Sequence, residues 1–358
     1  MKFLMAGGGT GGHVIPALAV ARELERRGHE VFFVGTREGI EARLVPAAGF
    51  PIEWIEIGGL KRVGVARSVR TLGQLALGTL RMTRALGRWR PAGVFSMGGY
   101  VAGPVVLAAA LRRIPMVLME PNAAPGMTNR WMGRVAARTL IGFPETARHF
   151  PKGKTELTGL PVRAEFFALA PKPREEALSV LITGGSRGSR TLNQAARQSW
   201  PLFREAGFPV RLTLQAGREA HAELARDFAA TGLAGEVVPF IDDMPAAFAA
   251  ADLVVCRSGA GAVAELAASG RPAILVPFPF AADDHQRRNA EALVGAGAAR
   301  LVPDREFTGQ RLLEEVRSME HETGLLERMG EAARRFAHPR AAERAAELLE
   351  QAAAGARF

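Results

Sequence analysis

Phe3-Leu4-Met5-Ala6-Gly7-Gly8-Gly9-Thr10-Gly11-Gly12-His13 reads as an apolar strand running through a glycine-rich turn into a helix. The same grammar returns in the second half as Val180-Leu181-Ile182-Thr183-Gly184-Gly185-Ser186-Arg187-Gly188-Ser189. Glycine lets the backbone approach a ligand closely, and the first N–H groups of the following helix lack partners, so each turn suits a phosphate. Two such turns imply two phosphorylated ligands, or two domains closing on one.

Strands and helices alternate around these turns. In the first half, strands are predicted near Lys2–Ala6, Glu30–Val34, Ile52–Ile55, Gly93–Ser96, Met116–Met119 and Thr139–Ile141. In the second they fall near Ser179–Thr183, Val210–Gln215, Glu236–Val238, Leu253–Cys256, Ala273–Val276 and Ala299–Leu301. This alternation with short loops implies parallel sheets covered on both faces, hence an α/β protein with a doubly wound, Rossmann-like domain in each half. The break is expected in the proline-punctuated stretch Pro161 to Pro173, dividing residues 1–160 from 161–338. The tail, 339–358, reads as an Ala/Glu/Arg helix of a kind that crosses back to the first domain.

At 358 residues, 48% of them apolar, the chain exceeds what a single core usually fills. No apolar run reaches membrane-span length, and Lys2-Phe3-Leu4-Met5-Ala6 meets glycines at once instead of continuing as a signal peptide, so the protein is expected to stay in the cytoplasm. The single cysteine, Cys256, excludes an internal disulfide and argues against a cysteine zinc site. Its setting, Leu253-Val254-Val255-Cys256, is that of a buried strand residue.

Charge is unevenly spread. Residues 1–160 hold 22 Lys and Arg against 10 Glu and no Asp, a balance of +12, while residues 161–358 hold 24 against 26, a balance of −2. The first half therefore calls for an anionic partner, whether nucleic acid, an anionic membrane or a phosphorylated substrate. Only 5 of the 46 basic residues are lysine, which also fits a compositional bias toward arginine.

Gly7, Gly9 and Gly12 satisfy the dinucleotide pattern G-x-G-x-x-G. That fingerprint expects an acidic residue at the end of the second strand, where this chain has Val34-Gly35-Thr36-Arg37. Arg37 in place of the acid leaves an NADP-binding oxidoreductase as an alternative. His13, directly after the last glycine, is placed either as a base facing a ligand or as a polar residue capping the turn.

Met97-Gly98-Gly99-Tyr100-Val101-Ala102-Gly103 repeats the strand-to-turn pattern, and Cys256-Arg257-Ser258-Gly259-Ala260-Gly261 repeats it again. Glu265, about one turn inside the helix that follows, reads as a carboxylate for ribose hydroxyls or as a solvated helix residue. The polar run Asp283-Asp284-His285-Gln286-Arg287-Arg288-Asn289 belongs to the same carboxyl edge, where ligands of such sheets bind.

Six segments, Gly8-Gly9-Thr10-Gly11-Gly12-His13, Met97-Gly98-Gly99-Tyr100, Pro161-Val162-Arg163, Gly184-Gly185-Ser186, Phe240-Ile241-Asp242-Asp243-Met244 and Cys256-Arg257-Ser258-Gly259, stand in the order and spacing of one family. Over essentially its whole length the chain resembles the bacterial peptidoglycan N-acetylglucosaminyltransferases. The resemblance implies a GT-B fold, two doubly wound domains facing each other across a cleft. It also implies inverting transfer of N-acetylglucosamine from UDP-GlcNAc to the C4 hydroxyl of lipid-linked N-acetylmuramoyl-pentapeptide, the step from lipid I to lipid II. Another GT-B enzyme acting on a lipid acceptor is the nearer alternative.

The resemblance further implies the roles of single residues. The second half would hold the donor, with uracil on the backbone at Ile241, ribose on Glu265 and the diphosphate on Arg163, Ser186, Arg187 and the helix start at Ser258, Gly259 and Ala260. His285 and Gln286 would meet the sugar hydroxyls. The first half would hold the acceptor, its diphosphate over Thr10, Gly11 and Gly12 and near Gly98, Gly99 and Tyr100, with Glu120 and Asn122 close to the reacting sugars. His13 and Glu120 are the two candidates for the base. The chain departs from the family pattern at Met119 and Pro121, at Arg187 where glutamine is usual, and at His285 in place of the first of two glutamines.

No Asp-x-Asp clamp for Mg²⁺ or Mn²⁺ occurs at Asp242-Asp243 or Asp283-Asp284, so neither metal nor cofactor is expected. The stretch from Gly58 to Pro91 has no acidic residue and sets Leu72, Leu75, Leu80, Leu86 and Trp89 among Arg67, Arg70, Arg81, Arg84, Arg88 and Arg90. This is a core-packed helix with a solvated basic face, or a segment, Leu60–Arg90, that lies on an anionic bilayer. With a lipid-linked acceptor, the second reading makes the protein peripheral to the cytoplasmic face of the cell membrane, with other cell-wall synthesis proteins rather than nucleic acid as partners. Roles in cell shape and division are expected with it.

Overall fold

The computed structural model describes residues 1–55, 65–173, 175–185 and 187–356, and of residues 65–74 and Tyr100 the backbone alone. Residues 1–162 and 338–358 form one compact unit, and 163–337 the other.

In the first unit, all strands are parallel: β1 (Lys2–Ala6), β2 (Glu30–Gly35), β3 (Ile52–Trp54), β4 (Gly93–Ser96), β5 (Met116–Glu120), β6 (Arg138–Ile141) and β7 (Thr155–Leu157), in the order β3-β2-β1-β4-β5-β6-β7. Alternate strand residues line each face, as a period of two requires. Leu4, Ala6, Phe32, Val34, Val94, Met116 and Leu118 pack under the helices Val65–Trp89 and Gly99–Leu111, meeting Met82, Leu86, Val105 and Val106. On the other face the final helix, Ala341–Ala353, buries Leu348 and Leu349 completely. It is tied by Arg27 to Glu350 at 2.8 Å, by His29 to Glu350 at 2.6 Å and by a two-pronged pair from Arg344 to Glu156. The tail thus completes the covering of the first sheet.

The seventh strand, β7, was not anticipated from sequence. Thr155-Glu156-Leu157 is a three-residue edge strand with Leu157 exposed, too short and too polar to show a period.

The second unit repeats the topology with β8 (Leu178–Thr183), β9 (Val210–Gln215), β10 (Ala234–Val238), β11 (Leu253–Cys256), β12 (Ala273–Leu275) and β13 (Ala299–Leu301), ordered β10-β9-β8-β11-β12-β13. Its core gathers Val180, Ile182, Leu212, Leu214, Val255 and Ile274 with Trp200, Phe203 and Phe228 from the covering helices. Cys256 is buried at the end of β11. In each unit the chain leaves the first strand in one direction and later returns to its other side. The loops after β1 and β4, and after β8 and β11, therefore diverge at a switch point, which is where such sheets take ligands.

Candidate active site

In the first unit the helix Gly11–Arg26 opens directly from the glycine turn. Thr10 precedes it without capping it, so the helix presents the Gly11 and Gly12 end of its dipole uncovered. The His13 ring stands inside the first turn, with Nδ1 3.4 Å from both the Gly8 carbonyl and Thr10 Oγ1. A carbonyl can only accept, so a bond from Nδ1 places the ring proton there and leaves Nε2 as the basic nitrogen. His13 reaches across to the next turn: a Cβ built on Gly99 would lie 3.3 Å from His13 Cε1.

Gly98 and Gly99 have φ of +75° and +78°, which favours glycine, and they open the helix Gly99–Leu111 without a side-chain cap. Behind Gly98 is Asn129, buried, its Nδ2 donating to the Met119 carbonyl at 2.9 Å and to Glu120 at 3.0 Å. The structure thus brings the turns after β1, β4 and β5 together. The side chain of Tyr100 lies outside the described residues.

Glu120 is 2% exposed. Oε1 accepts from the Asn122 backbone N–H at 3.0 Å, and Oε2 from the Gly126 N–H and Asn129 Nδ2, each at 3.0 Å. Burial pushes its carboxyl up to about 7 against the pull of these donors. Glu120, one of the two candidates for the base, thus has both carboxylate oxygens engaged, by the Asn122 and Gly126 amides and by Asn129. Asn122 itself is half-buried, and its carbonyl is held by Thr146 Oγ1 at 3.1 Å.

Two residues that organise these turns were not singled out from sequence. Glu41, fully buried, accepts the Gly9 N–H, so the amide of Gly9 is turned inward, and the anion-binding part of the turn narrows to the helix start. Arg257, half-buried, pairs with Asp304 and donates to Ser189 Oγ at 2.8 Å, the Val276 carbonyl at 3.0 Å and the Pro277 carbonyl at 3.2 Å. It thereby fastens four loops at the carboxyl edge of the second sheet.

The helix after the second glycine turn differs from expectation. Arg190–Glu205 is capped by Ser189, whose Oγ accepts from the Leu192 N–H at 3.4 Å, so this helix end is already served. By contrast, like Arg218–Ala229 and His285–Gly295 in the same unit, Ala260–Ser269, preceded by Gly259, is uncapped. Ser258 is fully buried there, and Asn289 Nδ2 donates to its carbonyl at 3.1 Å. Arg187 is exposed on the glycine turn, while Ser186 lies outside the described residues.

Glu265 projects from the Ala260–Ser269 helix with its side chain 18% exposed, and Arg163 approaches it. Burial raises its carboxyl to about 7, and the Arg163 charge opposes the rise. Gln286 uses Oε1 to accept the Phe278 N–H at 2.9 Å, and His285 Nδ1 stands 2.8 Å from the Ala282 carbonyl, so both are held at the opening of the helix His285–Gly295. Ile241 is half-buried in the loop after β10, ahead of a short helix that Asp243 caps at 2.9 Å. At the end of β2, Arg37 stacks over Trp54 at 5.0 Å, and Thr36 is engaged by Glu41.

Two family models match, the glycosyltransferase family 28 N-terminal domain over residues 3–141 and its C-terminal domain over residues 179–345. The chain belongs to glycosyltransferase family 28. A relative from Solibacter usitatus (strain Ellin6076), named UDP-N-acetylglucosamine--N-acetylmuramyl-(pentapeptide) pyrophosphoryl-undecaprenol N-acetylglucosamine transferase, is 64% identical over 353 residues, covering 98% of this chain and 96% of that one. A protein of the same name from Nitrosococcus oceani is 44% identical over 360 residues, covering 99% of each. The crystal structure of Acinetobacter baumannii MurG superposes with a TM-score of 0.80 at 33% identity, covering 98% of this chain and 99% of that one. Family 28 membership sets the glycine turn of Gly7 to Gly12 among glycosyltransferases rather than dinucleotide oxidoreductases.

Proposed function

We infer that this chain is a UDP-GlcNAc-dependent glycosyltransferase of peptidoglycan synthesis, moving N-acetylglucosamine onto the C4 hydroxyl of undecaprenyl-diphospho-N-acetylmuramoyl-pentapeptide. What supports the reading most directly is the 64% identity, over nearly the full length of both chains, to a protein named for that transfer. The reaction needs a base for the attacking hydroxyl and an electropositive surface for departing UDP.

On this reading the first unit holds the acceptor. Its diphosphate meets the Gly11 and Gly12 amides and the helix start at Gly98 and Gly99, and His13 Nε2 takes the hydroxyl proton. Glu120 keeps Asn122 in place. The second unit holds UDP-GlcNAc, with Glu265 on the ribose, the uracil on the backbone near Ile241, and the diphosphate on Arg163, Arg187, Ser186 and the uncapped helix at Ser258 to Ala260. His285 and the amide of Gln286 meet the sugar. Inversion follows from a single displacement at the anomeric carbon.

The protein works at the cytoplasmic face of the membrane, where its acceptor is anchored, and serves cell shape and division through the wall it helps to build. No helix among the described residues is long and apolar enough to cross a membrane. Leu86 turns into the core of the first unit, but Leu77 and Leu80 are 58% and 49% exposed beside exposed Arg81, Arg84 and Arg88, and Leu111 on the neighbouring helix is 72% exposed. Apolar side chains framed by arginines suit an anionic leaflet. Lys61 and Arg62 of that segment, and the side chains of Arg67, Arg70 and Leu72, lie outside the described residues.

The deciding experiment incubates the enzyme with a short-chain lipid I analogue and labelled UDP-GlcNAc or UDP-glucose. Transfer from UDP-GlcNAc alone is expected. Preference for UDP-glucose, or no transfer to the lipid I analogue, would indicate another lipid glycosyltransferase.

A further inference from the structure

A glutamate at the start of the short helix Glu41–Ala47 is ordinarily read as a surface charge favoured by the helix dipole. Glu41 is instead completely buried. Its Oε2 accepts the Gly9 N–H at 2.8 Å, and its Oε1 accepts both the Thr36 N–H at 3.0 Å and Thr36 Oγ1 at 2.9 Å. Three donors on two oxygens offset what is otherwise a costly burial. Space has been cleared for it as well. A Cβ on Gly8 would lie 2.5 Å from Glu41 Oε1, one on Gly35 2.6 Å from its Cγ, and one on Gly39 2.1 Å from its Oε2. A dipole-favoured surface glutamate would not be packed this closely against glycines of both the β1 turn and the connection after β2.

We propose that Glu41 is the positioning residue of the His13 turn: by drawing the Gly9 N–H inward, its carboxylate fixes the backbone that aims His13 and leaves the helix start at Gly11 and Gly12 as the anion site. This rests on the reading of that turn as the acceptor side of the transfer. Glutamine cannot substitute, because donors approach both oxygens and an amide offers only one acceptor.

The test uses the full-length enzyme with the short-chain lipid I analogue. Glu41→Gln is expected to lower kcat/KM for the acceptor about 10- to 100-fold, with KM for UDP-GlcNAc and the UDP dissociation constant within about twofold. Gly39→Ala, which displaces the carboxylate without altering the turn, is expected to give the same acceptor-selective loss. If neither variant folds, Glu41→Asp, which keeps the buried charge and shortens its arm, must show that loss. Activity falling only in proportion to the folded fraction, with the acceptor kcat/KM of the folded enzyme unchanged, overturns the proposal. His13→Ala, run in parallel, separates the two premises. If it retains turnover, the reading of His13 as the base that this turn aims is wrong; if it abolishes turnover while the Glu41 variants do not, only the role of Glu41 is wrong.

Discussion

Arg163 Nη2 stands 4.0 Å from Glu265 Oε1 in the second unit, near enough to couple electrostatically yet beyond hydrogen-bonding distance. Arg163 is also stacked over Phe166 at 5.1 Å, so a cation and a carboxylate are held apart by packing with room for other partners. Glu265→Ala is expected to raise KM for UDP-GlcNAc about 10- to 150-fold, the equivalent of roughly 1.5–3 kcal/mol for a charged hydrogen bond. An unchanged KM would make Glu265 a bystander.

The same residue sets a pH dependence. With its carboxyl raised to about 7, Glu265 takes up a proton as the pH falls through neutrality and loses the charge that would hold a ribose hydroxyl. KM for UDP-GlcNAc is expected to rise below about pH 7 in the native enzyme, and Glu265→Gln should flatten that rise. A parallel slope in both enzymes would place the titration elsewhere.

If His13 takes the acceptor proton, His13→Ala should lower kcat by about two to four orders of magnitude while UDP affinity, read by calorimetry, hardly changes. Turnover close to that of the native enzyme would leave proton removal to Glu120 or to solvent.

Glu120 offers a check on stability instead of rate. Its carboxyl binds a proton more tightly in the folded chain, about 7, than its ordinary 4.5. Between those values the folded state holds the extra proton, so this group's contribution to stability is complete below about pH 4.5 and is lost as the pH rises through 7. Glu120→Gln should remove that downward slope from a plot of unfolding free energy against pH, although it disturbs the Asn122 to Gly126 loop. An identical slope would show that burial does not govern Glu120.

Turnover is expected to continue in excess EDTA if, as proposed, Arg163, Arg187 and the uncapped helix start at Gly259 supply the positive potential for a departing diphosphate. Loss of activity in chelator, restored by Mg²⁺, would reverse this.

Vesicle sedimentation addresses the membrane. Binding should increase with anionic lipid and fall with salt, and it should weaken when Arg81 and Arg84 become glutamate, each exposed arginine contributing on the order of 1 kcal/mol. Leu77→Ser with Leu80→Ser should weaken binding even at low salt. Equal binding to neutral and anionic vesicles would return the arginines to compositional bias.

The glycine turns were legible because their chemistry is local: an apolar run, glycines and a helix start lie within a dozen residues of one another. The strands they follow showed equally well, since buried parallel strands are short and apolar throughout. The edge strand Thr155–Leu157 escaped because pairing with β6, not composition, makes it a strand. Which helix start remains open was not local either. Ser189 and Gly259 are both ordinary residues before a helix, and only the structure shows that the first caps its helix and the second leaves its helix uncapped.

By itself, then, the sequence determined two doubly wound halves and a glycine-rich turn at the head of each, and it put forward His13 and Glu120 as candidates for the base and Glu265 as a candidate for the ribose. Tertiary structure decided what those residues lean on. That Glu120 also anchors a loop is seen only when Asn122, Gly126 and Asn129 fold onto it. Glu41 looks like any helix-opening glutamate until β1 and β2 pair and bring Gly9 and Thr36 to its carboxylate. The physical reason is common to both. A charged group's role depends on its dielectric surroundings and donors: both carboxylates are buried only once the sheet and its helices have packed, and for Glu41 that packing also brings the Gly9 amide from 32 residues away.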